Sequence, residues 1–341
     1  MSGGEADPAR ARGARSGVAA GLEAGEGAGA LPARLRIVEV GPRDGFQMER
    51  RFIPTELKIE IVKALAAAGL AEIEAASFVR PDVVPQMRDA ESVIAGLADA
   101  TRERVWALVP NRRGAERALT CGVSRLHFVV CVSETYNRRN VGLSVDESLA
   151  ALEAVVRSAA EAPGAVAMAA TLAATFGCPF EGQLPEERIV ELARRVRDLG
   201  VDELGLADSV GLGTPPLVRR ISRGVRDAVG ELPLRLHLHD TRGLGMANAI
   251  AGIEEGITAF DTSLGGLGGC PMVLGASGNV ATEDLVNLCD ELEIDTGVDL
   301  DAVRAASGRL ASFLDRELPS RVLASGTRAE LLARNRESLQ A

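Results

Sequence analysis

Two of only three histidines in the sequence stand two residues apart, in the segment LRLHLHD at 234–240. On a strand, that spacing points both side chains to the same face. His237 and His239 are therefore read as a pair of imidazole ligands for one metal ion. Asp240, the next residue, faces the other way and is not counted among the ligands. A carboxylate at Asp44 and an amide oxygen at Asn279 complete a mixed nitrogen and oxygen donor set. Such a set suits a hard divalent cation, Mg²⁺ or Mn²⁺, better than zinc, which is less favoured without a thiolate. The third histidine, His127 in RLHFVV, reads as structural.

Lysine narrows the chemistry further. Breaking a carbon–carbon bond beside a carbonyl needs an electron sink, supplied by a lysine Schiff base or by a metal ion. The sequence has two lysines, Lys58 and Lys63, both in the first helical stretch and both expected on the outside. Metal-assisted chemistry is the route that survives. Other polar candidates gather around it: Arg43 beside Asp44 in EVGPRDG, Glu74 in EIEAAS, and Asp208 closing ELGLAD. The stretch GGLGGCPMVLGASGN at 265–279 holds six glycines in fifteen residues, with Cys270 at its centre. Glycines give a flap its hinges, and a thiol on that flap can carry a proton.

These residues are far apart in sequence, so the elements between them must bring them together. From Leu35 onward short β-rich runs alternate with amphipathic stretches, beginning LRIVEV then PTELKIEIVKALAAAGL and ending AFDTSLGG then VATEDLVNLCDEL. Eight such units in about 260 residues predict an α/β protein of the (β/α)₈ barrel type. An open doubly wound sheet is the weaker alternative, since no dinucleotide-binding glycine fingerprint follows the first strand. In a barrel, catalytic groups belong at the C-terminal ends of the strands. The candidate residues fall at those ends. The predicted division is a disordered tail over 1–33, a catalytic barrel over 34–296, and a helical extension over 297–341 that includes LDAVRAASGRLASFLDREL.

Composition excludes several functions. With 46% hydrophobic residues and a net charge of −10, the 341-residue chain can bury a sizeable core and repels nucleic acid and anionic membranes. No run is long and apolar enough to suggest a transmembrane helix. Five cysteines without a CxxC pair speak against a disulfide framework and for a reducing compartment. Four acidic residues before Leu31 break the acid-poor signature of a transit peptide, so a cytoplasmic protein is expected.

The segments VEVGPRDGFQ, IEAASFVRPDVVPQM, GCPFEG, HLHDTRGLGMAN and GLGGCPMVLGASGNVATEDLV together resemble the 3-hydroxy-3-methylglutaryl-CoA lyases of the DRE-TIM metallolyase superfamily. The resemblance implies a divalent cation on Asp44, His237, His239 and Asn279. It implies active-site roles for Arg43, Glu74 and Asp208, and a mobile loop carrying Cys270. The implied reaction is retro-Claisen cleavage of a 3-hydroxy-3-substituted glutaryl-CoA to acetyl-CoA and a 3-keto acid, within leucine catabolism and ketone-body metabolism. The partner is then an acyl-CoA, and a homo-oligomer of two or more chains is expected. Met48, Met272, Val273 and Leu274 depart from the residues usual in that family, so the rim that touches substrate differs while the ligand positions persist. A Claisen-type synthase of the isopropylmalate or citramalate kind is the alternative enzyme. It fits less well, because such synthases usually carry HxHND and a large C-terminal domain. A non-catalytic scaffold of the same fold would be expected to lose ligands, and none is missing.

Overall fold

The computed structural model of the protein describes residues 31–269 and 278–338. Eight parallel strands close into one barrel in sequence order. They are β1 (Arg36–Glu39), β2 (Glu72–Ser77), β3 (Val105–Leu108), β4 (Arg125–Cys131), β5 (Ala167–Ala173), β6 (Glu203–Asp208), β7 (Leu234–Leu238) and β8 (Ala259–Thr262). β1 pairs with both β2 and β8, which brings the first and last strands side by side. The fold is a (β/α)₈ TIM barrel, as the alternating pattern predicts.

The helices between strands follow from their sequences. Helix Val145–Ala160 opens on a capping box, in which the Ser144 hydroxyl accepts from the Glu147 backbone and the Glu147 carboxylate accepts from the Ser144 backbone. Helices Glu186–Asp198 and Pro215–Val229 start at prolines and lay an apolar stripe against the strands, with Ile189, Leu192, Val196, Leu217, Ile221 and Val225 buried. Short helices at Asp99–Arg102 and Glu134–Val141 were not expected from the alternation. After helix Thr282–Glu291, helices Leu300–Leu314, Arg321–Ser325 and Arg328–Ser338 follow. Among the described residues no helix is long and apolar enough to cross a membrane. The four cysteines among them, Cys121, Cys131, Cys178 and Cys289, form no disulfide with one another.

The lysine expectation needs one correction. Helix Thr55–Ala67 lies outside the strands, yet Lys58 is buried. Its ammonium donates to the Gln86 carbonyl and to Asp89 Oδ1 at 2.6 Å. Gln86 also bonds the backbone of Glu49, Arg51 and Ile53, so it ties the loop after β1 to the loop after β2, and the buried lysine braces it from helix Thr55–Ala67. An ammonium can be buried when a carboxylate and a carbonyl replace its water.

Candidate metal centre and active site

The first half of the site is built where β1 ends. One π-helical turn, Gly41–Gly45, follows the strand directly and delivers Arg43 and Asp44 to the barrel mouth. Glycine is required at 41, because a Cβ there would strike the Leu264 side chain and the Glu39 carboxylate. Arg43 is buried and its donors are largely committed. Nη1 donates to Asp44 Oδ1 at 2.5 Å, while Nε and Nη2 reach Glu74 Oε2 at 2.7 and 2.6 Å. The second oxygen of Glu74 faces His127 Nδ1 at 2.7 Å, and His127 Nε2 lies 2.8 Å from the Thr171 hydroxyl. Burial alone would raise the Glu74 carboxyl, but the Arg43 and His127 charges overcome it and hold the group down at about 2. His127 is thus a structural prop inside the barrel, one step behind Arg43.

The second half comes from β7 and the chain after β8. His237 and His239 do project together, with their Nε2 atoms 3.0 Å apart. Asp44 joins them, and one ligand atom from each of the three lies within 4.8 Å of the others. Asp44 is desolvated, yet Arg43 and the two histidines keep its carboxyl below the ordinary range. Burial and the neighbouring His237 push His239 down to about 3, which leaves a neutral imidazole fit for a metal. Asn279 Nδ2 donates to Asp44 Oδ2 at 2.8 Å and to the Leu267 carbonyl at 2.9 Å. Its Oδ1 is buried without a hydrogen-bond partner, as is His239 Nδ1. Orphaned buried acceptors are rare and ask for an explanation. A cation would satisfy the Asn279 oxygen, and a 3.0 Å spacing of nitrogens matches the ~3.0 Å edge of an octahedron with ~2.1 Å bonds. The donor set fits a hard divalent ion.

Asp240 turns away, as its parity predicts, and accepts from the Gly245 backbone at the start of helix Gly245–Glu254. Asp208 is set apart from the cluster. Strand register pairs Ala207 with His237 and Asp208 with Leu238. The Asp208 carboxylate closes the loop after β6 by accepting from the Leu212 and Gly213 amides at 2.8 and 2.9 Å. Burial outweighs these bonds and the Arg242 and His237 charges, and pushes its carboxyl up to about 6. Cys270 lies outside the described residues.

The sequence reading missed three buried carboxylates around the site. Asp261 Oδ2 lies 3.1 Å from His237 Nδ1. Glu39 accepts from the Gly41 and Leu264 amides and from the Thr282 hydroxyl. Glu283 accepts from the Gly265 amide and the Ser307 hydroxyl. Glu39 and Glu283 therefore anchor the start of the glycine-rich segment. Parity along β8 and β1 was the available signal, since Asp261 directly follows the apolar Ala259–Phe260 and Glu39 the apolar Ile37–Val38.

Comparison with known proteins agrees with this geometry. The HMGL-like family model matches residues 34–309. The chain is 38% identical over 294 residues to the mitochondrial hydroxymethylglutaryl-CoA lyase of Rattus norvegicus, covering 86% of this chain and 90% of that one. It is 39% identical to the hydroxymethylglutaryl-CoA lyase YngG of Bacillus subtilis, covering 86% and 97%. The solved HMG-CoA lyase of Acinetobacter baumannii, in complex with coenzyme A and 3-methylmalate, superposes with a TM-score of 0.82 at 39% identity, over 87% of this chain and 96% of that one.

Proposed function

From the premise that the chain belongs to the HMGL-like family, we propose that it is a carbon–carbon lyase acting on 3-hydroxy-3-methylglutaryl-CoA or a close analogue. The products are acetyl-CoA and acetoacetate, or the matching 3-keto acid. One observation carries the reading: the Asp44, His237 and His239 ligand atoms converge at the barrel mouth, directly against the buried Arg43–Glu74 pair.

Asp44, His237, His239 and Asn279 would hold the cation, Mg²⁺ or Mn²⁺. When bound, such an ion supplies Lewis acidity to the substrate's tertiary hydroxyl and a neighbouring oxygen. Cleavage removes the hydroxyl proton, breaks the bond to the carbon next to the thioester, and leaves the electron pair as a thioester enolate. Arg43 is the group to receive that oxyanion, because its planar donors are already aimed by Glu74 and Asp44. Glu74 has both oxygens occupied, so its part is to orient Arg43. Asp208, with a carboxyl near neutrality, is suited to take or hold a proton. Cys270 is assigned the delivery of a proton to the enolate carbon, which completes acetyl-CoA. The barrel over 34–296 does this work and the helices after 297 extend it. A cytoplasmic location and a homo-oligomeric state belong to the same reading.

Product analysis tests the proposal. Metal-loaded protein incubated with 3-hydroxy-3-methylglutaryl-CoA should release acetyl-CoA and acetoacetate in equal amounts. A panel with longer 3-substituents should then rank the analogues. Cleavage of none of them, by protein shown to hold its cation, would overturn the assignment.

A further inference from the structure

Below the cation cluster the barrel interior carries charge, where barrels of this type ordinarily stack branched aliphatic side chains. Strand register explains how this reaches the site. His237 on β7 and Asp261 on β8 are Cα partners, so their side chains meet inside. One Asp261 oxygen faces His237 Nδ1 at 3.1 Å, and the other faces Arg235 Nε at 3.2 Å. Arg235 lies two residues before His237 on the same face, fully buried. Its Nη1 stands 3.6 Å from Glu203. Glu203 pairs with Arg36, Arg36 reaches Glu72 at 2.7 Å, and Trp106 Nε1 donates to the same Glu72 oxygen at 2.8 Å. A row of alternating charges crosses the barrel floor and ends at His237.

We propose that Asp261, itself held by Arg235, is a positioning residue that locks His237 in the tautomer with its proton on Nδ1. The inference rests on the cation reading above. An ionised carboxylate can only accept, so the hydrogen between Asp261 and His237 belongs to the imidazole. The Nε2 lone pair is then bare, and it is this atom that stands 3.0 Å from His239 Nε2. A carboxylate buried this deeply must be paired to stay charged, and Arg235 is its pair. His239 has no comparable support, since its Nδ1 lacks a partner. The two imidazoles are therefore unequal: the outer nitrogen of one is held by a carboxylate and that of the other is not.

Histidine ¹⁵N shifts of the metal-free protein at alkaline pH report the tautomer, and three histidines keep the spectrum assignable. Wild-type His237 should carry its proton on Nδ1. Asp261→Asn can present either an acceptor or a donor to the ring, so the lock should relax to a mixture. Its Mn²⁺ affinity by calorimetry should fall roughly 10–100-fold, the usual range for an outer partner of a ligating histidine. Arg235→Met leaves Asp261 in place without its anchor and should weaken Mn²⁺ binding by less. If Asp261→Asn fails to fold, the wild-type tautomer and the Arg235→Met affinity still decide. A wild-type His237 protonated on Nε2, or folded variants with wild-type Mn²⁺ affinity, would overturn the lock. A wild-type protein that shows the Nδ1 tautomer yet takes up no Mn²⁺ leaves the lock standing and removes the cation reading instead.

Discussion

The mouth of the barrel has two sides with opposite electrostatic states. On the β1–β2 side, Arg43 pairs with both Asp44 and Glu74 through short ion pairs, and both carboxyls sit below their ordinary range. On the side built from β6, β7 and the chain after β8, Asp208 is pushed up to about 6 and His239 down to about 3, while Asn279 Oδ1 has no partner. Both sides are buried, so burial alone does not separate them. What differs is whether a fixed opposite charge stands within contact. Where it does, groups are charged and oriented in advance. Where it does not, as at His239 and the Asn279 oxygen, groups are neutral or unpaired, which is the state a cation can change.

The cation is the largest test of this contrast. Chelation with EDTA should abolish turnover, and Mg²⁺ or Mn²⁺ should restore it; full activity in rigorously metal-free protein would erase the meaning given to the unpaired side. Next comes Cys270. Cys270→Ala should lose roughly 10²–10⁴-fold in rate while retaining fold and cation, the range for a positioned acid or base. Wild-type turnover in that variant would make the loop a lid alone. On the oriented side, Arg43→Lys should lower kcat about 10²–10³-fold with a modest change in KM, since a planar donor set cannot be replaced by a point charge. A normal kcat with a large rise in KM would move Arg43 from the transition state to ground-state binding.

The smallest effects are in stability, and they should run in opposite directions. Glu74, lowered from an ordinary 4.5 to about 2, contributes stability that is present above 4.5 and lost as pH falls through about 2. Asp208, raised from 3.8 to about 6, contributes stability that is complete below 3.8 and lost as pH rises through about 6. Relative to wild type, the Tm of Glu74→Gln should therefore decline as pH rises from 2 to 4.5. That of Asp208→Asn should climb from 3.8 to 6. Each difference amounts to a few kcal/mol at most. Thermal melts across that pH range with parallel slopes would show that the two sides do not differ as described.

The sequence disclosed the barrel because alternation and chain length are local properties. The His237–His239 pair was legible for the same reason, since parity on one strand needs no knowledge of neighbours. What stayed hidden depends on register between strands. Asp261 meets His237, and Glu203 meets Arg36 and Arg235, only because the sheet closes in one registry. Lys58 looked like a surface residue because its partners, Gln86 and Asp89, lie on the next unit of the chain. Asp208 sat correctly at a strand end, but the side to which it turns is set by pairing with Leu238.

Closure of β1 against β8 also has a consequence in time. Asp44 meets Asn279 across 235 residues, and Glu39 reaches Leu264 and Thr282 across 225 and 243. Glu39 and Asp44 leave the ribosome before β2, whereas these partners follow β8. Contacts of such long sequence separation form late, because the intervening chain must be ordered first. A nascent chain that stops before β8 would hold a curved, unclosed sheet with Glu39 and Asp44 lacking these late partners, and it would expose a strand edge open to aggregation. Asp44 and Asn279 therefore come together only once the last strand has been made and paired with the first.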